Sequence, residues 1–174
     1  LVAIGAGAYI ALFILLVALR VGYPFELEWL EGAMVDHVRT ILSAAPLYAK
    51  PSLDFIPLTY TPLYFYVAAA LSKVFGVSFI TLRLISIVAS FGILGILYRL
   101  ASREAGDPRA GTLAAGLFAA MFGWTDGWLD LARNDSLFLL LALLAIYLLR
   151  WHEPPAAYIC AGVLMSLSFL VKQT

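Results

Sequence analysis

Leu1-Val-Ala-Ile-Gly-Ala-Gly-Ala-Tyr-Ile-Ala-Leu-Phe-Ile-Leu-Leu-Val-Ala-Leu19 runs for nineteen residues without a charge. At about 1.5 Å of rise per residue, a helix of this length crosses the hydrocarbon core of a bilayer, which is about 30 Å thick. No positively charged region precedes the apolar stretch, and no small-residue cleavage site separates it from Arg20 and Pro24. It therefore reads as a retained first span and not as a cleaved signal peptide. Four further apolar stretches follow, at 79–98, 110–125, 136–149 and 156–171, the first of them interrupted only by Arg83. Charged or Pro-bearing punctuation separates them: 99–109, then 126–135, then Arg150-Trp-His-Glu-Pro-Pro155.

The expected fold is all-α, a polytopic transmembrane helical bundle with about five spans. Residues 1–174 form a single transmembrane domain, with spans at about 1–20, 79–98, 110–128, 134–150 and 156–172 and one long outer loop, 21–78. Composition agrees. The chain is 63% hydrophobic and 13% charged, against about 45–50% and about 25% in soluble domains. Lys+Arg and Asp+Glu are both 11, and no basic run marks a nucleic-acid partner. Cys160 is alone in an apolar run, which excludes an internal disulfide and a Cys-based metal cluster and leaves packing. The chain opens without Met and stops just after an apolar run, so it is expected to be the N-terminal part of a longer protein.

Within the outer loop, Leu30, Met34, Val38 and Ile41 recur at helical spacing with Glu31, Asp36, Arg39 and Thr40 between them. That pattern predicts an amphipathic helix on the membrane surface. Prolines at 46, 51, 57 and 62 then lead into 63–75, which carries Lys73 and the interface-favouring Tyr64, Phe65 and Tyr66. It is short for a span and is expected to be a second juxtamembrane or re-entrant helix. If 63–75 does not cross, the 99–109 and 150–153 loops with their arginines share the cytoplasmic side. Glu26, Glu28, Glu31, Asp36, Asp54, Asp126, Asp130 and Asp135 then lie outside.

Two constellations could carry chemistry. Glu28 and Glu31 are three residues apart, so a helix puts them on one face, where paired carboxylates can supply a general base; the plainer reading is solvated acids at a helix N-terminus. Asp126-Gly-Trp-Leu-Asp130-Leu-Ala-Arg133-Asn-Asp135 leads into the fourteen-residue stretch 136–149, which makes only about 21 Å of helix and must borrow residues at its ends. Drawing Arg133 and Asp135 to membrane depth is costly unless they face a polar site, although Asp135 could serve merely as a helix cap. Arg83 and Lys172 lie at the same outer level. Each could snorkel to headgroups, but cations beside carboxylates also suit a phosphate-bearing lipid.

Taken in order, Glu28-Trp-Leu-Glu31-Gly, Ile41-Leu-Ser-Ala-Ala-Pro-Leu-Tyr48, Tyr60-Thr-Pro-Leu-Tyr-Phe-Tyr66, Arg83-Leu-Ile-Ser86, Asp130-Leu-Ala-Arg-Asn-Asp135 and Leu167-Ser-Phe-Leu-Val-Lys-Gln-Thr174 resemble the GT-C superfamily of polytopic glycosyltransferases. The resemblance is greatest to bacterial relatives of the aminoarabinose and protein O-mannosyl transferases. It implies two juxtamembrane helices in the first outer loop, a catalytic base at Glu28 or Glu31, and a second site carboxylate at Asp135 with Asp130 nearby. Where that group sometimes carries a phosphate-binding lysine, this chain has Tyr60-Thr61, so Arg133 and Lys172, with Tyr60 and Arg83, are the substrate-binding candidates. The implied reaction moves a sugar from a polyprenyl-phosphate-linked donor to a lipid or protein acceptor at the outer face of a bacterial or archaeal plasma membrane. These residues name no cofactor, and a divalent metal stays open. A transporter or flippase component is the alternative, but it predicts mid-span charges and inverted repeats that the sequence lacks.

Overall fold

The computed structural model describes residues 1–53 and 55–173; Asp54, counted above among the outer acids, and Thr174, the end of the last motif, lie outside the described residues. Those described form helices, turns and loops and no strand. Seven α-helices follow one another: α1 (Val2–Arg20), α2 (Leu30–Leu42), α3 (Leu63–Phe75), α4 (Phe79–Ala105), α5 (Pro108–Ala120), α6 (Asp135–Trp151) and α7 (Pro155–Val171). Two of them, α1 with 19 residues and α4 with 27, are long and apolar enough to cross a membrane.

Local chemistry sets the boundaries. Ser78 caps α4, its Oγ accepting from Thr81 N at 3.2 Å, and Gly106, with φ of +64°, ends it in the left-handed conformation. Asp107 and Pro108 then start α5, with Asp107 Oδ1 accepting from Arg109 N at 2.8 Å. α4 thus continues through 99–105, read above as loop, because nothing before Gly106 breaks a helix. α5 stops earlier than expected, at Ala120. Two short 3-10 turns, Met121–Gly123 and Trp128–Asp130, follow, and between them Asp126 (φ +50°) and Gly127 (φ +69°) are left-handed and cannot continue a helix.

In packing, α1 lies on α5, α5 on α4, α4 on α6 and α6 on α7. α1 and α5 approach closely because Gly116 has no side chain; a Cβ there would lie 2.5 Å from that of Ala6. At one end of the bundle Glu104 takes Arg150 in two hydrogen bonds of 2.6 and 3.1 Å, and Arg103 lies over the rings of Tyr147 and Trp151. The 99–109 and 150–153 segments therefore share an end. The acidic segments meet at the other, where α1, α5 and α7 finish and α4 and α6 begin.

α2 and α3 cover that second end, packed on each other and on α4, with α3 also touching α7. The stripe Leu30, Met34 and Val38 is buried, but against Tyr64, Phe65, Ala68 and Leu82 rather than free for lipid. Glu31, expected on the polar side of α2, is buried with the stripe. Conversely, α1 and α7 leave Ile4, Leu12, Leu15, Ile159, Val163 and Phe169 exposed. Such apolar outward faces are what a bilayer covers.

Candidate functional site

At the acidic end two ionic assemblies lie side by side. The first is closed. Glu31 and Arg83 are each 0% exposed and pair through Arg83 Nε to Glu31 Oε1 at 2.8 Å and Nη2 to Oε2 at 2.7 Å. Glu31 Oε1 also accepts from Ala132 N, and Oε2 from Leu27 N, both at 2.8 Å. Arg83 spends its remaining donors on carbonyls before α2, chiefly Tyr23 O at 2.6 Å and Phe25 O at 2.8 Å. Burial pushes the Glu31 carboxyl up, but Arg83 and the two amides outweigh it and hold it below the usual carboxylate range. Every oxygen of Glu31 is occupied. One carboxylate therefore pins Leu27, next to Glu28, and Ala132, next to Arg133.

The second assembly is a row of alternating charge that reaches the surface. Arg133 Nη1 donates to Glu28 Oε2 at 3.1 Å and Arg133 Nε to Asp135 Oδ2 at 2.9 Å, while Lys172 Nζ donates to Asp135 Oδ1 at 2.7 Å. Their side chains are between 7% and 23% exposed. The Arg133 guanidinium also lies 3.9 Å from the Trp128 ring centroid, a cation–π contact. Glu28 Oε2 additionally accepts from Leu30 N at 3.1 Å, at the start of α2. Glu28 Oε1 takes no partner among the described residues. Both oxygens of Asp135 are taken by cations, so Asp135 does not cap α6 with its side chain.

The segment bearing these residues is held from α4. Ser86 Oγ donates to Arg133 O at 2.8 Å and Ser90 Oγ to Leu129 O at 2.6 Å. Arg83, Ser86 and Ser90 stand at i, i+3 and i+7, a polar stripe along one face of an apolar helix. The spacing was legible in the sequence, but only Arg83 stood out there.

The remaining candidates fall outside the row. Asp130 is buried and faces Arg20 at 3.1 Å without hydrogen-bond alignment, and among the described residues neither of its oxygens has a hydrogen-bonding partner. Burial, against the pull of Arg20, pushes its carboxyl up to about 6. Arg20 also donates to Gly127 O at 3.2 Å; sequence reasoning used it only as the end of a span. Tyr60 is half-buried against the α2–α3 core, its carbonyl accepting from Tyr48 Oη at 2.7 Å. His37, unnoticed in the sequence because it sits on the buried side of α2, stacks on Phe65. Its Nδ1 donates to Ala33 O at 2.7 Å and its Nε2 accepts from Leu58 N at 2.8 Å, which requires the neutral ring. Burial holds its pKa below the ordinary value. Among the described residues no three His, Cys, Asp or Glu side chains converge to hold a metal ion, and an arginine stands between Glu28 and Asp135, so no step below runs through one. Two cavities at this end, about 510 and 290 Å³, are lined by Glu26 and Asp36 and not by the row.

No curated protein and no solved structure matches the chain. Residues 59–174 match the family described as dolichyl-phosphate-mannose-protein mannosyltransferase. The match includes Arg83, Asp130, Arg133, Asp135 and Lys172 and leaves Glu28 and Glu31 outside it. Covering more than half of the residues, among them the apolar α4 and three members of the charged row, it places the chain in the dolichyl-phosphate-mannose-protein mannosyltransferase family, and this protein is a membrane glycosyltransferase.

Proposed function

We propose that the chain moves a sugar from a polyprenyl-phosphate-linked donor to a lipid or protein acceptor at the outer face of the membrane, using the row Glu28–Arg133–Asp135–Lys172. The row carries the reading: one carboxylate with an uncommitted oxygen, next to two cations held by a second carboxylate. Glu28 Oε1 takes the proton of the acceptor hydroxyl, whose oxygen then attacks the anomeric carbon. The bond from that carbon to the phosphate oxygen breaks, and the lipid phosphate leaves with the electron pair, with inversion at carbon. Arg133 uses two of its five N–H donors on carboxylates and Lys172 one of three, so both retain donors for the departing phosphate. Asp135 orients the two cations. Glu31 and Arg83 hold the segments that carry Glu28 and Arg133 in place, and neither meets substrate.

In this reading α1, α4, α5 extended by the Met121–Gly123 turn, α6 and α7 are five spans of a plasma membrane, bacterial or archaeal, and α2 and α3, packed on each other over one end of the bundle, are juxtamembrane. Support comes from the shared end of the arginine-bearing segments and from the packing of α3 against the start of α4 and the end of α7. The experiment is reconstitution of the full-length protein with a polyprenyl phospho-sugar, scored for transfer, alongside labelling of single cysteines in a Cys160→Ala background. Phe25→Cys and Val77→Cys label from one side and Ala105→Cys from the other. Labelling of 77 and 105 from a common side removes both the topology and the site.

A further inference from the structure

α7 ends within a set of hydrogen bonds from distant segments. Val171 O accepts from Asn134 Nδ2, and Phe169 O from Thr61 Oγ1, each at 3.0 Å. These serve carbonyls of the last turn, which have no partner within the helix. One residue beyond Lys172, the Gln173 side chain meets the chain entering α3. Its Oε1 accepts from Thr61 N at 3.0 Å and its Nε2 donates to Thr59 O. Donor and acceptor thus go to residues two apart, as a neighbouring β-strand would place them, and that pattern fixes the orientation of the amide. Tyr60 lies between the two clamped residues. Lys172 lies between the clamp and the row, with Nζ on Asp135 at 2.7 Å.

A lysine at the end of an apolar helix has a long flexible stem and a ready alternative, extension to the headgroups. Its single bond to Asp135, partly exposed to solvent, is weak support on its own. The backbone on either side must supply the rest. We infer that Gln173 is a positioning residue for the transfer: by clamping the Thr59–Thr61 backbone to the end of α7, with Thr61 Oγ1 on Phe169 O, it holds Lys172 against Asp135. It also couples the loop into α3 to the phosphate side of the site. The clamp stands on the hydrogen bonds above; the phosphate role of Lys172 rests on the proposed function.

Steady-state transfer by the reconstituted full-length protein tests the kinetic part, with the polyprenyl phospho-sugar varied at saturating acceptor. Gln173→Ala and Thr61→Val raise the donor KM about 10-fold with kcat within about twofold, the pattern of lost ground-state and transition-state binding alike. Thr61→Ser, which keeps the hydroxyl, stays at the wild-type KM. If Gln173→Ala does not fold, the two Thr61 variants carry the test. Wild-type KM in Gln173→Ala and Thr61→Val, or a fall in kcat at constant KM, overturns the inference. A second arm needs no turnover: a double-mutant cycle of Lys172→Met and Asp135→Asn on melting temperature, run in wild-type and Gln173→Ala backgrounds. Coupling between the pair that vanishes without Gln173 supports the clamp even if no sugar is transferred, and coupling that is the same in both backgrounds refutes it.

Discussion

Glu31 with Arg83 and Glu28 with Arg133 are two carboxylate–arginine pairs built from residues three apart at one helix start, yet their surroundings differ. The Glu31 pair is fully buried, and each of the two Glu31 oxygens accepts one arginine N–H and one backbone amide. The Glu28 pair is partly exposed, continues into Asp135 and Lys172, and leaves one glutamate oxygen without a partner among the described residues. A proton acceptor needs a free lone pair facing a space that substrate can enter, and a structural pair needs the reverse. Saturation, and not residue type, is what distinguishes the two glutamates, and the proposed roles follow from it.

The sharpest break of this comparison is a swap of roles. Glu28→Gln keeps size and hydrogen bonding but removes the proton acceptor, so turnover falls about 10²- to 10⁴-fold while the melting temperature in detergent holds. Wild-type turnover in Glu28→Gln would sink the assignment and return the transporter reading to first place. Glu31→Gln leaves the Arg83 guanidinium buried without its counter-charge, and removing one partner of such a pair costs about 3–5 kcal/mol. Its signature is a large drop in melting temperature and yield; a stable, fully folded Glu31→Gln with no turnover would exchange the two roles.

A smaller effect sharpens the open side. Lys172→Ala, which removes a cation but no proton acceptor, raises the donor KM about 10-fold with little change in kcat, since matched charge stabilises bound donor and transition state together. A kcat fall at constant KM would instead place Lys172 in the chemistry.

The smallest effects are in pH. His37 is neutral in the fold with its pKa held below 6.5, so the folded state binds fewer protons than the unfolded chain as pH falls through that value. Stability is therefore present above about pH 6.5 and lost below it. Asp130 has the opposite sign: with its carboxyl raised from 3.8 to about 6, the folded state binds more protons in that window, and stability falls as pH rises through it. Melting curves between pH 4 and 8 separate the two, because His37→Gln flattens the acid-side loss and Asp130→Asn flattens the decline from 4 to 6. Identical pH profiles for both variants and wild type would show that neither group is as buried in solution as in this fold.

The distinction between the pairs also marks what could be read in advance. Helical spacing alone did not separate Glu28 from Glu31, because periodicity fixes a face and not what stands opposite; only the place of Glu28 just before the amphipathic helix favoured it as the base. Ala132, whose amide saturates Glu31, is 101 residues away. Arg133, Asp135 and Lys172 were found by depth, since ionisable groups at the ends of apolar stretches have few cheap alternatives. Arg83 passed the same test but turned inward to Glu31 and the carbonyls before α2; Gln173 entered only as part of a motif and His37 not at all, since neither belongs to a charge pattern. The end of α5 was overextended because Trp124 is apolar, and only the left-handed Asp126 and Gly127 stop the chain there.

By itself the sequence determined that the chain is helical, that its helices want an apolar surround, and that its acids and its arginine-rich turns lie at opposite ends. These follow from local composition and period, which each segment carries independently of the others. Only the tertiary structure decided which carboxylate is closed and which is open, that Asp130 faces Arg20, and that Gln173 bonds the backbone entering α3. Those outcomes depend on hydrogen bonds between residues tens to more than a hundred positions apart, and on burial that no single segment can produce alone.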